Sequence, residues 1–307
     1  MPTCQLNPKP DMYGLGIRTA FYIQWFGALA IEWLDETDTM DMRVLGLLLS
    51  GAMLIGAVIQ ISQDHLEAAE IYIALLLAAG AYLFLVPLWI WRGLTLCSPY
   101  WNPFRWNKEK MSPVFRFGNF ACLTAVAATA TWYYTSYLPG LDRDCSQFGF
   151  FFGPVSLQNN VYIAFNAILY IMMLVVLAFF VLMSFGCEFH MWSKERRRAK
   201  VHRMHIEVIR TCRMLSNLVV FGVLVAGVEL SIDWNNLQAT NEIMTAAQTI
   251  PLVVSAGFVS RSLFLYAARR SADDGSSDAS SVMVRRTYRR STVETSGPSW
   301  PPTAHTK

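Results

Sequence analysis

Long apolar runs, each close to the length of a membrane crossing, alternate along the chain with short polar segments. Seven runs stand out: Tyr13 to Leu34, Val44 to Gln63, Ile71 to Trp91, Phe117 to Leu138, Val161 to Cys187, Met214 to Trp234 and Ile243 to Ala268. A hydrocarbon core about 30 Å thick needs roughly 20 residues of helix to cross it, which is the scale of these runs. The pattern predicts seven transmembrane helices in an all-α, polytopic integral membrane protein, since a helix satisfies its backbone groups internally where water is absent. The second, third and fifth runs carry no charge, whereas the first holds Arg18 and Glu32, the sixth Glu229 and the seventh Arg261. Residues 1–12 have no apolar core of the signal-peptide kind, so the first helix is expected to act as its own insertion signal.

The polar segments set the orientation, because cytoplasmic loops are enriched in Lys and Arg. With the N-terminus outside, the three inner loops hold 14 basic residues, from Arg43 through Arg92, Arg105 and Lys108 to the Lys194–Arg213 cluster. The outer segments hold only Lys9 and Arg143. The expected topology is therefore N-out/C-in, with residues 1–12 outside, 13–268 in the membrane and 269–307 as a cytosolic tail. That tail is rich in Ser, Thr and Arg, too polar to form a core, and is expected to be disordered. Its run from Arg285 to Ser291 fits a phosphorylation site, an anchor on anionic lipid or a merely solubilising tail. The endoplasmic reticulum and the plasma membrane are both compatible with these features. No internal repeat is visible, which leaves the inverted-repeat transporter architecture without support.

Composition agrees with the pattern: 54% of residues are hydrophobic and 15% charged, against about 25% charged in a soluble domain. The net charge of +3 argues against a nucleic-acid partner that would be held by bulk positive charge. The expected partners are the bilayer and a hydrophobic small molecule.

Polar groups inside a membrane are costly and mark candidate sites. Arg18, Asn166, Glu229 and Gln248 each lie five residues in from the outer end of their runs, and Gln60 three residues in. At 1.5 Å per residue they share a layer roughly 5–8 Å deep. Such a layer fits either a pocket open to the outer side or separate interhelical hydrogen bonds. Glu229 and Asp233 are one turn apart and can face the same way. Arg18 is the natural partner of Glu229: paired, the glutamate stays charged; unpaired, burial favours the acid, able to donate a proton. Arg18, Tyr22, Trp25 and Leu29 share a face of the first helix. Tyr22, Trp25, Tyr133 and Tyr134 are candidate walls, since aromatic faces stabilise cations, although most of the 41 aromatic residues belong to the core and interface belts.

Other motifs carry less. Asp35, Glu36, Asp38 and Asp41 form one acidic cluster where a Mg²⁺-diphosphate enzyme needs two. His202, His205 and Glu207 lie in a basic inner loop that suits lipid headgroups better than a metal. There is no phosphate-cradling glycine loop, HExxH helix or serine nucleophile elbow, so neither a metal nor a cofactor is called for. Cys4 and Cys145 fall on the same predicted outer side and are the one pair that can form an outer disulfide.

The segment Tyr13-Gly-Leu-Gly-Ile-Arg-Thr-Ala-Phe-Tyr-Ile-Gln-Trp-Phe-Gly27 resembles one recurring in filamentous-fungal multispanning membrane proteins without an assigned activity, and the likeness to that group is weaker over Asp64 to Leu77. In size and architecture the chain is also similar to the membrane-embedded terpene cyclases of fungal meroterpenoid pathways. That resemblance implies an enzyme of secondary metabolism in which intramembrane acids protonate an isoprenoid or its epoxide. The resemblance is architectural and carries over no catalytic position; the outer polar layer beside aromatic residues is what makes Glu229 the expected proton donor, Asp233 its partner or the final base, Arg18 the electrostatic tuner, and Tyr22, Trp25, Gln60, Tyr133, Tyr134, Asn166 and Gln248 the expected lining of the substrate site. A seven-helix receptor or a small-molecule transporter has the same outline.

Overall fold

The computed structural model describes residues 9–34, 40–63, 65–95, 113–141, 146–186, 203–237 and 245–294, with no account of the side chains at 89, 92, 113, 179–186, 203–206 and 272–294. The chain falls into two compact units, residues 1–260 and 261–307. The helices are α1 (Pro10–Tyr13), α2 (Leu15–Leu34), α3 (Met40–Ser62), α4 (Ala68–Leu83), α5 (Val86–Leu94), α6 (Pro113–Trp132), α7 (Asn160–Gly186), α8 (Arg203–Trp234) and α9 (Ala246–Glu294). A π turn at Tyr133–Tyr137 and a 3₁₀ turn at Leu138–Gly140 extend α6. A two-stranded antiparallel hairpin, β1 (Phe148–Phe150) and β2 (Pro154–Ser156), precedes α7.

Five helical stretches are long and apolar enough to cross a membrane: Met40–Ser62, Val114–Gly140, Asn160–Ala178, Glu207–Trp234 and Ala246–Ser271. The chain is thus a helical, multi-pass membrane protein, with five such helices among the described residues against the seven expected. The two shortfalls have separate causes. α2 has the length, but Arg18, Gln24 and Glu32 dilute its apolar character. The third expected span, 71–91, breaks at Phe84–Leu85 into α4 and α5, because Pro87 in the first turn of α5 has no N–H to donate and its ring collides with the carbonyl four residues back.

α4 is the centre of the first unit. It packs against α2, α3, α6 and α8, and 13 of its 16 residues are buried, as expected for a helix apolar all round. Its N-terminus is buried too, so the free amides of the first turn need partners. Glu67 and Glu70 form a capping box there, and the Ala69 N–H donates to Gln147 Oε1 at 2.6 Å. The Tyr133 hydroxyl donates to the Ala68 carbonyl at 2.7 Å.

The backbone of α9 stays helical to Glu294, across most of the segment whose composition predicts disorder. A helix closes its hydrogen bonds locally, so a segment too polar to build a core can still coil.

Candidate functional site

The charges in the first and sixth apolar runs meet. α2 and α8 pack together, and Arg18 Nη1 donates to Glu229 Oε2 at 2.7 Å. One turn along α2, the Tyr22 hydroxyl donates to the other carboxylate oxygen, Oε1, at 2.8 Å. Arg18 is fully buried, while the Glu229 side chain is 42% exposed. The cluster therefore has a sealed cationic floor and a carboxylate open on one side. With both oxygens accepting, one in a charge-assisted bond, Glu229 is arranged as the carboxylate.

The opposite ends of the same helices carry the reverse pair. Glu32 on α2 is ion-paired to Arg213 on α8, and Arg210 donates to the Trp33 carbonyl. The two glutamate–arginine pairs are 14 residues apart on α2, about 21 Å of helix, so they pin the register of an antiparallel pair at both ends.

The remaining expected residues divide into three groups. Trp25, buried, stands beside Tyr22 with ring centroids 6.0 Å apart. It lies directly on α4, where a Cβ on Gly80 would come within 2.1 Å of the indole. Gln248 is buried against the start of α2: a Cβ on Gly14 would lie 2.6 Å from its side chain, and one on Gly16 would lie 2.5 Å from its backbone carbonyl oxygen. Both polar atoms of the Gln248 amide are buried without a hydrogen-bond partner among the described residues, a costly state. Asp233 is exposed, one turn further along α8 than Glu229.

Tyr133 and Tyr134 belong to another cluster. Tyr134 stacks on Tyr170 and meets Tyr162 edge-on, with centroids 6.0 and 6.3 Å apart, and Tyr162 meets Tyr72 at 6.4 Å. Beside Tyr134, the π turn and the start of α7 enclose a cavity of about 350 Å³ whose wall includes Thr135, Leu138, Gln158, Ile163 and Ala167. None of Arg18, Tyr22 or Glu229 lines it. The Asn166 side chain donates to the Tyr162 carbonyl of its own helix at 3.0 Å. Gln60, half-buried, closes α3, its carbonyl accepting the His65 N–H at 3.1 Å. The layer predicted from depth thus joins α2 and α8 directly, while Asn166 bonds within α7 and Tyr134 faces a separate cavity.

Residues not singled out from the sequence include Glu70 and Asn235. Glu70 is buried and accepts from the Tyr13 hydroxyl at 2.6 Å and from the Lys9 and Glu67 N–H groups at 3.1 and 2.9 Å. Its spacing from Glu67, just ahead of an apolar run, is the available signal. No group of three or more metal-ligating side chains occurs among the described residues. Cys122 and Cys212 are free thiols, while Cys4, Cys145, His202, the His205 side chain and Asp35 to Asp38 lie outside the described residues. Comparison with family models, curated proteins and solved structures yields no match.

Proposed function

We propose that this chain is a seven-span, N-out/C-in membrane enzyme acting on a hydrophobic small molecule, with proton-initiated cyclisation of an isoprenoid as its chemistry. The observation that carries the reading is the Glu229 carboxylate, half-open within an apolar helix bundle, fixed by Arg18 and Tyr22, with Trp25 packed behind the Tyr22 ring. A carbocation reaction needs a group that stabilises positive charge and takes up the closing proton, and a positioned carboxylate beside an aromatic wall is equipped for both. Against the expectation that Glu229 donates the starting proton, its bonds to Arg18 and Tyr22 suit it to accept the closing one, and the starting proton is assigned to Asp233, exposed on the same helical face and open to recharging from water. The reaction is a net isomerisation: one proton enters at an alkene or epoxide, carbon–carbon bonds form from π electrons, and one proton leaves to Glu229. It consumes no cofactor.

A second reading, a receptor or transporter for a small hydrophobic ligand, draws on the cavity beside Tyr134, which the ion-pair residues do not line. The test is incubation of purified protein in lipid nanodiscs with an epoxidised prenyl-phenol. Catalytic formation of a product isomeric with the substrate supports the enzyme. Saturable binding with the compound recovered unchanged supports the second reading and overturns the first.

A further inference from the structure

We infer that the hairpin before α7 is a membrane anchor, with Phe151 and Phe152 at its tip seated among the lipids that surround α7. The inference rests on the membrane-spanning reading of α7 and α8.

The body of the hairpin is held rigidly to the ends of two other helices. The Asn235 side chain brackets Phe148, accepting from its N–H at 2.9 Å and donating to its carbonyl at 2.7 Å. The same amide donates to the Ser231 carbonyl at 2.7 Å, closing the end of α8. Gln147 caps the buried start of α4, and Phe150 stacks on Trp234, the last residue of α8, with rings 12° from parallel. A hairpin this short is not stable alone; here it is fixed at the level where the apolar stretch Glu207–Trp234 ends.

The tip is built against the usual rules for an aqueous turn. Phe152 is 81% exposed and has φ of 56°, a left-handed conformation that bulky residues rarely adopt, although Gly153 follows directly. Phe151, also exposed, lies edge-on against Phe165 with centroids 5.1 Å apart. Phe165 belongs to a continuous exposed stripe on α7, formed with Val161, Ile168, Met172 and Val175, all on one face by helical spacing. Only 17% of that apolar stretch is buried inside the protein, so the stripe is the surface α7 offers to lipid. The hairpin tip prolongs this surface outward without a polar break between Phe151 and Phe165. Aromatic side chains favour the boundary between acyl chains and headgroups, and the partner that fits is the outer edge of the bilayer.

Fluorine NMR in phosphatidylcholine nanodiscs tests the inference, with trifluoromethyl-phenylalanine replacing Phe152 in one sample and Phe165 in another. Doxyl-labelled lipid, carrying its spin near the headgroup end of the acyl chain, is expected to abolish the signal from position 152, while a water-soluble gadolinium chelate leaves it. Loss of that signal to gadolinium places the tip in water and overturns the anchor. Survival of the signal against both agents places the tip against protein and overturns it equally. Position 165 separates the two levels: its loss to doxyl lipid upholds the spanning reading whatever happens at 152, and its survival would bring down the spanning reading and the anchor together.

Discussion

The Arg18–Glu229 pair is unequal, and the inequality governs what single substitutions do. Replacing Glu229 by Leu removes the carboxylate facing a fully buried guanidinium, a loss that approaches the ~3–5 kcal/mol of breaking a pair buried on both sides. Replacing Arg18 by Met leaves a carboxylate that is 42% exposed and, on the outward-opening reading, reachable by water, so the loss is closer to the ~1 kcal/mol of an exposed pair. Thermal unfolding in nanodiscs should therefore rank Glu229→Leu well below Arg18→Met, with the double variant recovering part of the loss. Equal losses would place the open side of Glu229 against lipid. Tyr22→Phe removes one neutral hydrogen bond and should cost about 1 kcal/mol. The pair was legible in the sequence because charges are scarce in these runs and each sits five residues from an end. Depth gives no bearing around a helix axis, however, which is why Asn166 matches Arg18 in depth yet bonds within its own helix.

At the level of elements, close approach and capping carry the arrangement. The Trp25 ring occupies the space of a missing side chain at Gly80, so Gly80→Ala forces the indole or α4 to move and should destabilise by about 1–3 kcal/mol, measurable as a lower unfolding temperature. Asn235→Ala removes the hydrogen bonds that bind the hairpin to α8. It should open the loop between β1 and β2 to protease in the folded protein, with intact resistance counting against the bracket. Helix positions were readable from the lengths of the apolar runs, whereas the third run reads as one unbroken span because Pro87 leaves its apolar character intact while breaking its helix. The hairpin was not readable: Phe148-Gly-Phe-Phe-Phe-Gly-Pro-Val-Ser156 shows no alternation of polar and apolar residues, and its fixing partners, Asn235 and Trp234, are distant in sequence. Glu70 escaped notice because a carboxylate beside an apolar run reads as a boundary charge, whereas the fold buries it to satisfy the start of α4.

For the whole molecule, the two oppositely directed pairs, Arg18–Glu229 and Glu32–Arg213, bind α2 and α8 antiparallel along their length. This gives α2 a place in the bundle despite its diluted apolar character. The proposed N-out/C-in arrangement predicts that, in sealed and right-side-out vesicles, a tag at residue 1 is cleaved by external protease and a tag at residue 307 is protected. The reverse pattern would invert the assignment of the Glu229 layer to the outer side. If this layer is the working centre, Glu229→Gln should silence it, because the amide keeps the shape of the side chain while removing its charge. In nanodiscs with an epoxidised prenyl-phenol, the variant should remain folded and lose product formation by roughly 10²-fold or more, the scale of a positioned acid–base group. Full product formation by folded Glu229→Gln would show that the Glu229 carboxylate takes no part in the reaction.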